Sequence, residues 1–166
     1  MAVLLRETRE DDTSRIAGWV RRIRAEQYMS RIYPKAYSRG AWPMSASLLA
    51  WYVIVVDGVD VGTVWLGKET EASETAILGI LIGTEDALGH GVGKTAILEA
   101  IHASREKLGL RSVRLNVRNN NPRAIRCYEQ CGFVTVAEGT KRSDDGSAIA
   151  FRTMEMRLAT ERRGPE

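Results

Sequence analysis

The chain has 166 residues, 44% of them hydrophobic and 27% charged, with a net charge of +3. That is enough for one domain with a single core, and the balance of apolar and charged residues excludes an intrinsically disordered chain. No apolar run reaches the ~18 residues that cross a membrane as a helix. No basic run is interleaved with the aromatics that grip nucleic acid, so neither a membrane nor a nucleic acid is expected as a partner.

Met1 to Arg9 lacks the apolar core of a secretion signal, which predicts a cytoplasmic protein. The pI of about 9.0 suits either a solvated basic surface or a patch that attracts a ligand with several phosphates. Cys127 and Cys131 form no disulfide framework and, with no close His, no zinc set, so no metal is expected. Their four-residue spacing puts them on one helix face as small buried apolar side chains.

In chain order, Val3–Glu7 reads as a first strand. A helix follows from about Thr13 to Ala25, with Ile16, Val20 and Ile23 at helical spacing, acids before it and arginines towards its end. Tyr28 to Ser47 holds Tyr28, Met29, Tyr33, Pro34, Tyr37, Trp42, Pro43 and Met44 without clean periodicity; it either lines a pocket or caps the core. Tyr52–Val56, the turn Asp57-Gly58 and Val59–Gly67 predict a hairpin. After the polar break Lys68–Ser73, the apolar run Thr75–Ile82 predicts a central strand. A glycine-rich link leads into a helix from about Gly91 to Leu108, ended by Gly109. Ser112–Val117 is the next strand, and Pro122 opens a helix to about Gln130, ended by Gly132. Phe133–Glu138 and Ala148–Leu158 predict two last strands around the turn Ser143–Gly146. The tail from Thr160 to Glu166 reads as frayed, which leaves residues 1–159 as one domain. The pattern is mixed α/β, also describable as α+β, with one central sheet.

Leu88-Gly89-His90-Gly91-Val92-Gly93 joins a strand to a helix. Glycine allows close backbone approach and positive φ, and the first helical N–H groups are unpaired at the positive end of the helix dipole. Together these make an anion site, with phosphate the usual occupant. Gly93-Lys94-Thr95 resembles the end of a P-loop, but its first glycine would fall at position 88, which is Leu88. A dinucleotide loop needs its third glycine where Lys94 stands. An acyl-CoA loop fits, apart from its first residue.

The second motif runs Leu115-Asn116-Val117-Arg118-Asn119-Asn120-Asn121-Pro122-Arg123-Ala124-Ile125-Arg126-Cys127-Tyr128-Glu129-Gln130-Cys131-Gly132-Phe133. Asn121, Ala124, Ile125, Tyr128, Gly132 and Phe133 stand at the positions of the hallmark of the GNAT superfamily of acyl-CoA-dependent N-acetyltransferases, which the chain resembles from about Val53 to Leu158. In style it is similar to the branch that acetylates ribosomal-protein N-termini, polyamines and aminoglycosides. Leu88 departs from the Gln or Arg of the general pattern.

The resemblance implies a GNAT-like fold: a single mixed sheet of about six or seven strands, helices on both faces, and the parallel strands Thr75–Ile82 and Ser112–Val117 splayed apart. It implies acetyl-CoA as co-substrate. Pantetheine would pair with backbone near Ile80, Leu81 and Ile82. The pyrophosphate would rest on Leu88, Gly89, His90, Gly91, Val92, Gly93 and Lys94, and Asn121 and Ala124 would lie beside the cofactor. An amine would attack the thioester directly, with Tyr128 the general acid for the leaving thiolate or only a cofactor contact. Glu74 is the candidate base, or a solvated strand end; Glu69, Glu71, Glu85, Asp86, His90 and a water chain are the alternatives. The acceptor pocket would be built from Arg24–Leu49 and Lys141–Gly146, taking a small amine, aminoglycoside, polyamine or protein N-terminus. Relatives often dimerise, so a homodimer is expected as well. A non-catalytic acyl-CoA-binding module and an ATPase are the rival readings.

Overall fold

The turn at Asp57-Gly58 forms with both residues at positive φ, 48° and 82°, the geometry that a right-twisted two-residue hairpin demands. It joins strands β2 (Leu49–Val56) and β3 (Val59–Gly67). The other strands are β1 (Val3–Glu7), β4 (Thr75–Ile82), β5 (Ser112–Arg118), β6 (Val134–Arg142) and β7 (Ala148–Arg157). The helices are α1 (Thr13–Arg22), α2 (Val92–Leu108) and α3 (Pro122–Cys131). These come from a computed structural model, which describes residues 1–37 and 45–160. Trp42, Pro43, Met44 and the tail beyond Thr160 lie outside the described residues.

All seven strands form one sheet in the order β1-β2-β3-β4-β5-β7-β6. Every neighbouring pair is antiparallel except β4 and β5. That parallel pair holds only at Thr75–Ser112, Ala76–Val113 and Ile77–Arg114, and then the strands part. The splayed pair and the mixed sheet stand as expected.

Each face of the sheet has its own core. Ala76, Leu78, Val113 and Leu115 pack with Ala96, Ile97 and Ala100 of α2 and Ile125 of α3. On the opposite face Leu81 packs with Trp51, Trp65 and the α1 residues Ile16 and Trp19. Two glycines in and after β4 make room there. A methyl group at Gly79 would lie inside the Trp65 indole, and one at Gly83 would lie inside Trp19.

α1 stops at Arg22, short of the expected Ala25, because Arg24 turns into the left-handed region at φ 52° and ψ 54°. β2 begins at Leu49 rather than Tyr52, since Leu49, Ala50 and Trp51 find partners in Gly67, Leu66 and Trp65. β6 runs on to Arg142 for the same reason, paired with β7 as far as Ala148.

The start of α1 is tied to the sheet by charge. Arg6 donates to both oxygens of Asp12, at 2.8 and 2.7 Å, and to Asp60 at 2.8 Å. Asp12 is 5% exposed and also accepts the Arg9 N–H at 2.7 Å. The Arg6 hydrogen bond, chiefly, holds the Asp12 carboxyl below its ordinary value.

Two stability measurements follow from these contacts. Gly79→Ala should lower the unfolding free energy in urea by about 2 kcal/mol, since the Trp65 ring has no room to yield. A carboxyl whose folded pKa is depressed stabilises above its unfolded pKa and stops doing so as pH falls. Unfolding free energy should therefore decline below about pH 4, and Asp12→Asn should flatten that decline while costing about 2 to 3 kcal/mol at neutral pH.

Candidate active site

β4 ends at Ile82, and the Gly83 N–H bonds to the Val61 carbonyl at 2.7 Å. One short turn, Glu85–Ala87, then leads to the glycines. Gly89 and Gly91 have φ of 78° and 74°, and a Cβ on either would meet open space, so both are required by conformation rather than by crowding. Gly93 serves differently: its Cβ would come within 3.3 Å of Cys127 Sγ, so its smallness lets α2 and α3 approach. Thr95 N–H to Gly91 C=O, at 3.1 Å, is the first backbone bond of α2. The amides of Val92, Gly93 and Lys94 have no intrahelical acceptor and point out of the positive end of a 17-residue helix. This is an anion site built from backbone.

The loop opens onto a trough of about 1880 Å³ that runs into the gap between β4 and β5. Ile80, Leu81 and Ile82 form one of its walls. Leu88, Gly89, Gly91, Val92, Gly93 and Lys94 form one end, and Asn121, Ala124 and Tyr128 come in from α3. His90 is exposed and does not line the trough. Asn121 caps α3, its side-chain oxygen accepting the Ala124 N–H at 3.3 Å. That leaves its side-chain NH₂ group for a ligand.

Tyr128 packs edge-on against Phe133, with ring centroids 6.0 Å apart. Among the described residues its hydroxyl has no hydrogen-bond partner, and the ring lines the trough. Burial raises the phenol's pKa above its ordinary value, so it stays protonated at neutral pH. Cys127 and Cys131 are half-buried rather than fully buried. The Cys131 thiol donates to the Lys94 carbonyl at 4.0 Å, and the interaction of the two thiols lowers the Cys127 pKa and raises that of Cys131.

Glu74 stands apart from this group. It precedes β4 at the closed end of the strand pair, where its carbonyl accepts the Arg111 and Ser112 N–H groups at 2.8 and 3.2 Å. Its exposed carboxylate pairs with Arg111 at 3.4 Å. The parallel register at Thr75–Ser112 forces this position, because the gap opens only beyond Ile77. Of the alternative carboxylates, Glu69, Glu85 and Asp86 line the trough; Glu69 bonds to Lys35 at 3.0 Å.

Arg118, at the end of β5, is a contact that local sequence reasoning does not find. Its Nε donates to Ser30 Oγ at 3.2 Å, and its other nitrogens donate to the carbonyls of Gln27 and Met29 at 3.1 and 3.3 Å. Asn120 adds a bond to the Gln27 carbonyl at 3.3 Å. These partners are 88 to 93 residues away in sequence, and no spacing rule reaches that far. Arg118 thus fixes the segment after α1 as the second wall of the trough.

A parted parallel strand pair with a backbone anion site at its mouth has the shape and the donors to suit an extended, phosphate-bearing ligand lying edge-on to the sheet. A model of the acetyltransferase (GNAT) family matches residues 14–133, and the chain belongs to that family. The fold is shared with solved acetyltransferases. A spermidine N-acetyltransferase from Vibrio cholerae, in complex with CoA and spermine, superposes with a TM-score of 0.76 at 21% identity, over 93% of this chain and 95% of that one. A GNAT-family acetyltransferase from Streptococcus pneumoniae gives 0.74 at 19%, over 95% and 100%. An aminoglycoside acetyltransferase in complex with coenzyme A and kanamycin gives 0.68 at 18%, over 94% and 95%. No curated protein sequence matches the chain.

Gly91→Val forces a branched side chain into positive φ, and Gly93→Val pushes α2 off Cys127. Each should abolish acetyl-CoA binding by isothermal titration calorimetry while leaving the far-ultraviolet circular dichroism unchanged. Undiminished affinity in either would overturn the loop's role.

Proposed function

We propose that the protein moves an acetyl group from acetyl-CoA to a primary amine within a ternary complex, with Tyr128 as the general acid. The observation that supports this best is Tyr128 itself: it lines the trough beside the parted strands, burial keeps its phenol protonated, and among the described residues its hydroxyl has no hydrogen-bond partner.

The steps balance as follows. The pyrophosphate binds the free amides at the start of α2, which sets the pantetheine along the open edge of β4. A neutral amine attacks the thioester carbonyl and forms the C–N bond. The C–S bond breaks, and the Tyr128 proton goes to the departing sulfur. The attacking nitrogen now carries a surplus proton, which returns to the phenolate directly or through water. Burial raises the phenol's pKa, so phenolate is a good acceptor for that proton and cannot persist in the trough. The cycle needs no carboxylate once the amine arrives neutral. This agrees with the position of Glu74 at the closed end and leaves water to carry the first proton away.

Cys127 is the nucleophile of the competing covalent route. Its Sγ packs against the start of α2 at Gly93, and as a nucleophile it would need a base beside it.

Tyr128→Phe keeps the ring and its contact with Phe133 but removes the proton. Turnover should fall about 10²-fold, with acetyl-CoA affinity unchanged. Wild-type turnover in this variant would end the acid role.

A further inference from the structure

The two faces of the trough carry different kinds of charge site. On the α2–α3 face the cations are Lys94, Arg123 and Arg126, and the free amides of α2 lie beside them. These suit the phosphates of the donor. On the opposite face the wall is the segment from Arg22 to Arg31, and it presents Arg22, Arg24 and Arg31 to the trough. A cofactor whose phosphates rest at the start of α2 is seated on the first face, and these three arginines stand on the other side of the β4–β5 gap.

Among the described residues, none of these three arginines forms an ion pair, and the same holds of Arg123 and Arg126 on the first face. Arg22 is in the last turn of α1, where a basic side chain also suits the helix dipole. Arg24 and Arg31 lie beyond the helix and have no such reason. Arg24 also holds a left-handed backbone at φ 52°, uncommon for a residue with a side chain. The conformation is fixed on both sides: its N–H bonds to Arg21 C=O at 3.3 Å, and its carbonyl accepts the Gln27 N–H at 3.0 Å. The segment supplies no carboxylate to the trough. Glu26 turns away into a neighbouring hollow, with Asp144 and Asp145 on its far side. Arg118 then locks residues 27–30 in place through backbone acceptors, so its own charge is spent on positioning.

The trough's carboxylates, Glu69, Glu85 and Asp86, come from other elements, and at this wall the guanidinium groups disfavour a polycation. They match a carboxylate, which a planar guanidinium binds through two parallel hydrogen bonds. Building on the acetyl-transfer reading above, we infer that the acceptor is an amine that also carries a carboxylate, of the amino-acid class, held by Arg24 and Arg31 on the α1 face. The carboxylate is anchored at the wall, and the amine end reaches across the gap to the thioester.

The test uses three amines of one chain length with acetyl-CoA and the full chain: an ω-amino acid, the matching diamine and the matching neutral alkylamine. The amino acid should give the highest kcat/KM, by about 10-fold or more, the worth of one charge-assisted hydrogen-bonded pair. Arg24→Gln and Arg31→Gln should each raise the amino-acid KM and erase that preference, with the acetyl-CoA KM unchanged. Arg24→Glu should turn the preference towards the diamine. A wild-type preference for the diamine or the alkylamine, or a preference that survives both glutamine variants, overturns the carboxylate inference and leaves acetyl transfer standing. Thiol release with none of the three amines, while calorimetry shows acetyl-CoA bound, overturns the acetyl-transfer reading and this inference with it.

Discussion

The whole site depends on one interruption of hydrogen bonding. β4 and β5 pair through Ile77 and Arg114 and no further. Each parted strand stays fully held by its outer neighbour: β4 by β3 as far as Ile82, and β5 by β7 as far as Arg118. The sheet therefore behaves as two sheets hinged at Thr75–Ile77. Backbone groups left without a partner in such a gap must find one, and an extended ligand can lie along the edge as an extra strand. Packing keeps the gap from closing. Trp65 packs against Gly79 and Trp19 against Gly83, which fixes β4 from one face, while α3 brings Tyr128 to the gap from the other.

Much of this was legible in the sequence, and the reason differs from element to element. β1, β3 and β4 have the bounds read from their β-branched and apolar runs, and for β3 Gly58 and the polar break after Gly67 mark the ends. Gly89 and Gly91 were readable for a related reason: each is a residue type that local geometry demands, whereas Asn121 and Tyr128 were named through their places in a family motif. Glu74 misleads because spacing along a strand does not tell where the neighbouring strand departs. Its distance from the gap is a fact about the Thr75–Ser112 register. The close approach of Trp65 to Gly79 joins residues on adjacent strands, and Arg118 meets Gln27 from 91 positions away; neither has a local signature.

The stretch from Tyr28 onwards stayed unreadable for a further reason. Its backbone bonds are those of isolated turns, such as Met29 N–H to Ala25 C=O at 2.8 Å and Tyr37 N–H to Pro34 C=O at 3.0 Å. It is held to the body by side chains that belong to other elements: Arg118 at residues 27, 29 and 30, and Trp65, whose Nε1–H reaches the Ile32 carbonyl at 3.4 Å. Its own aromatics, Tyr33 and Tyr37, stack towards Trp51 as a lid over the second core. A segment whose shape is set by contacts it receives carries little periodicity of its own.

The same contrast separates the two ends of the trough. The donor end is made of backbone: free amides, two glycines in the left-handed region and an open strand edge. Backbone offers the same groups whatever the neighbouring side chains, so this end suits a cofactor of fixed chemistry and tolerates a substitution such as Leu88. The opposite wall is made of side chains, Arg22, Arg24 and Arg31 among them, carried on a segment tied to the body through Arg118, Asn120 and Trp65. Exchanging those side chains changes what the wall binds without disturbing the strand gap or the α2 anion site. On the proposed reading, specificity and chemistry occupy opposite faces of the sheet, and Tyr128 stands where the two meet.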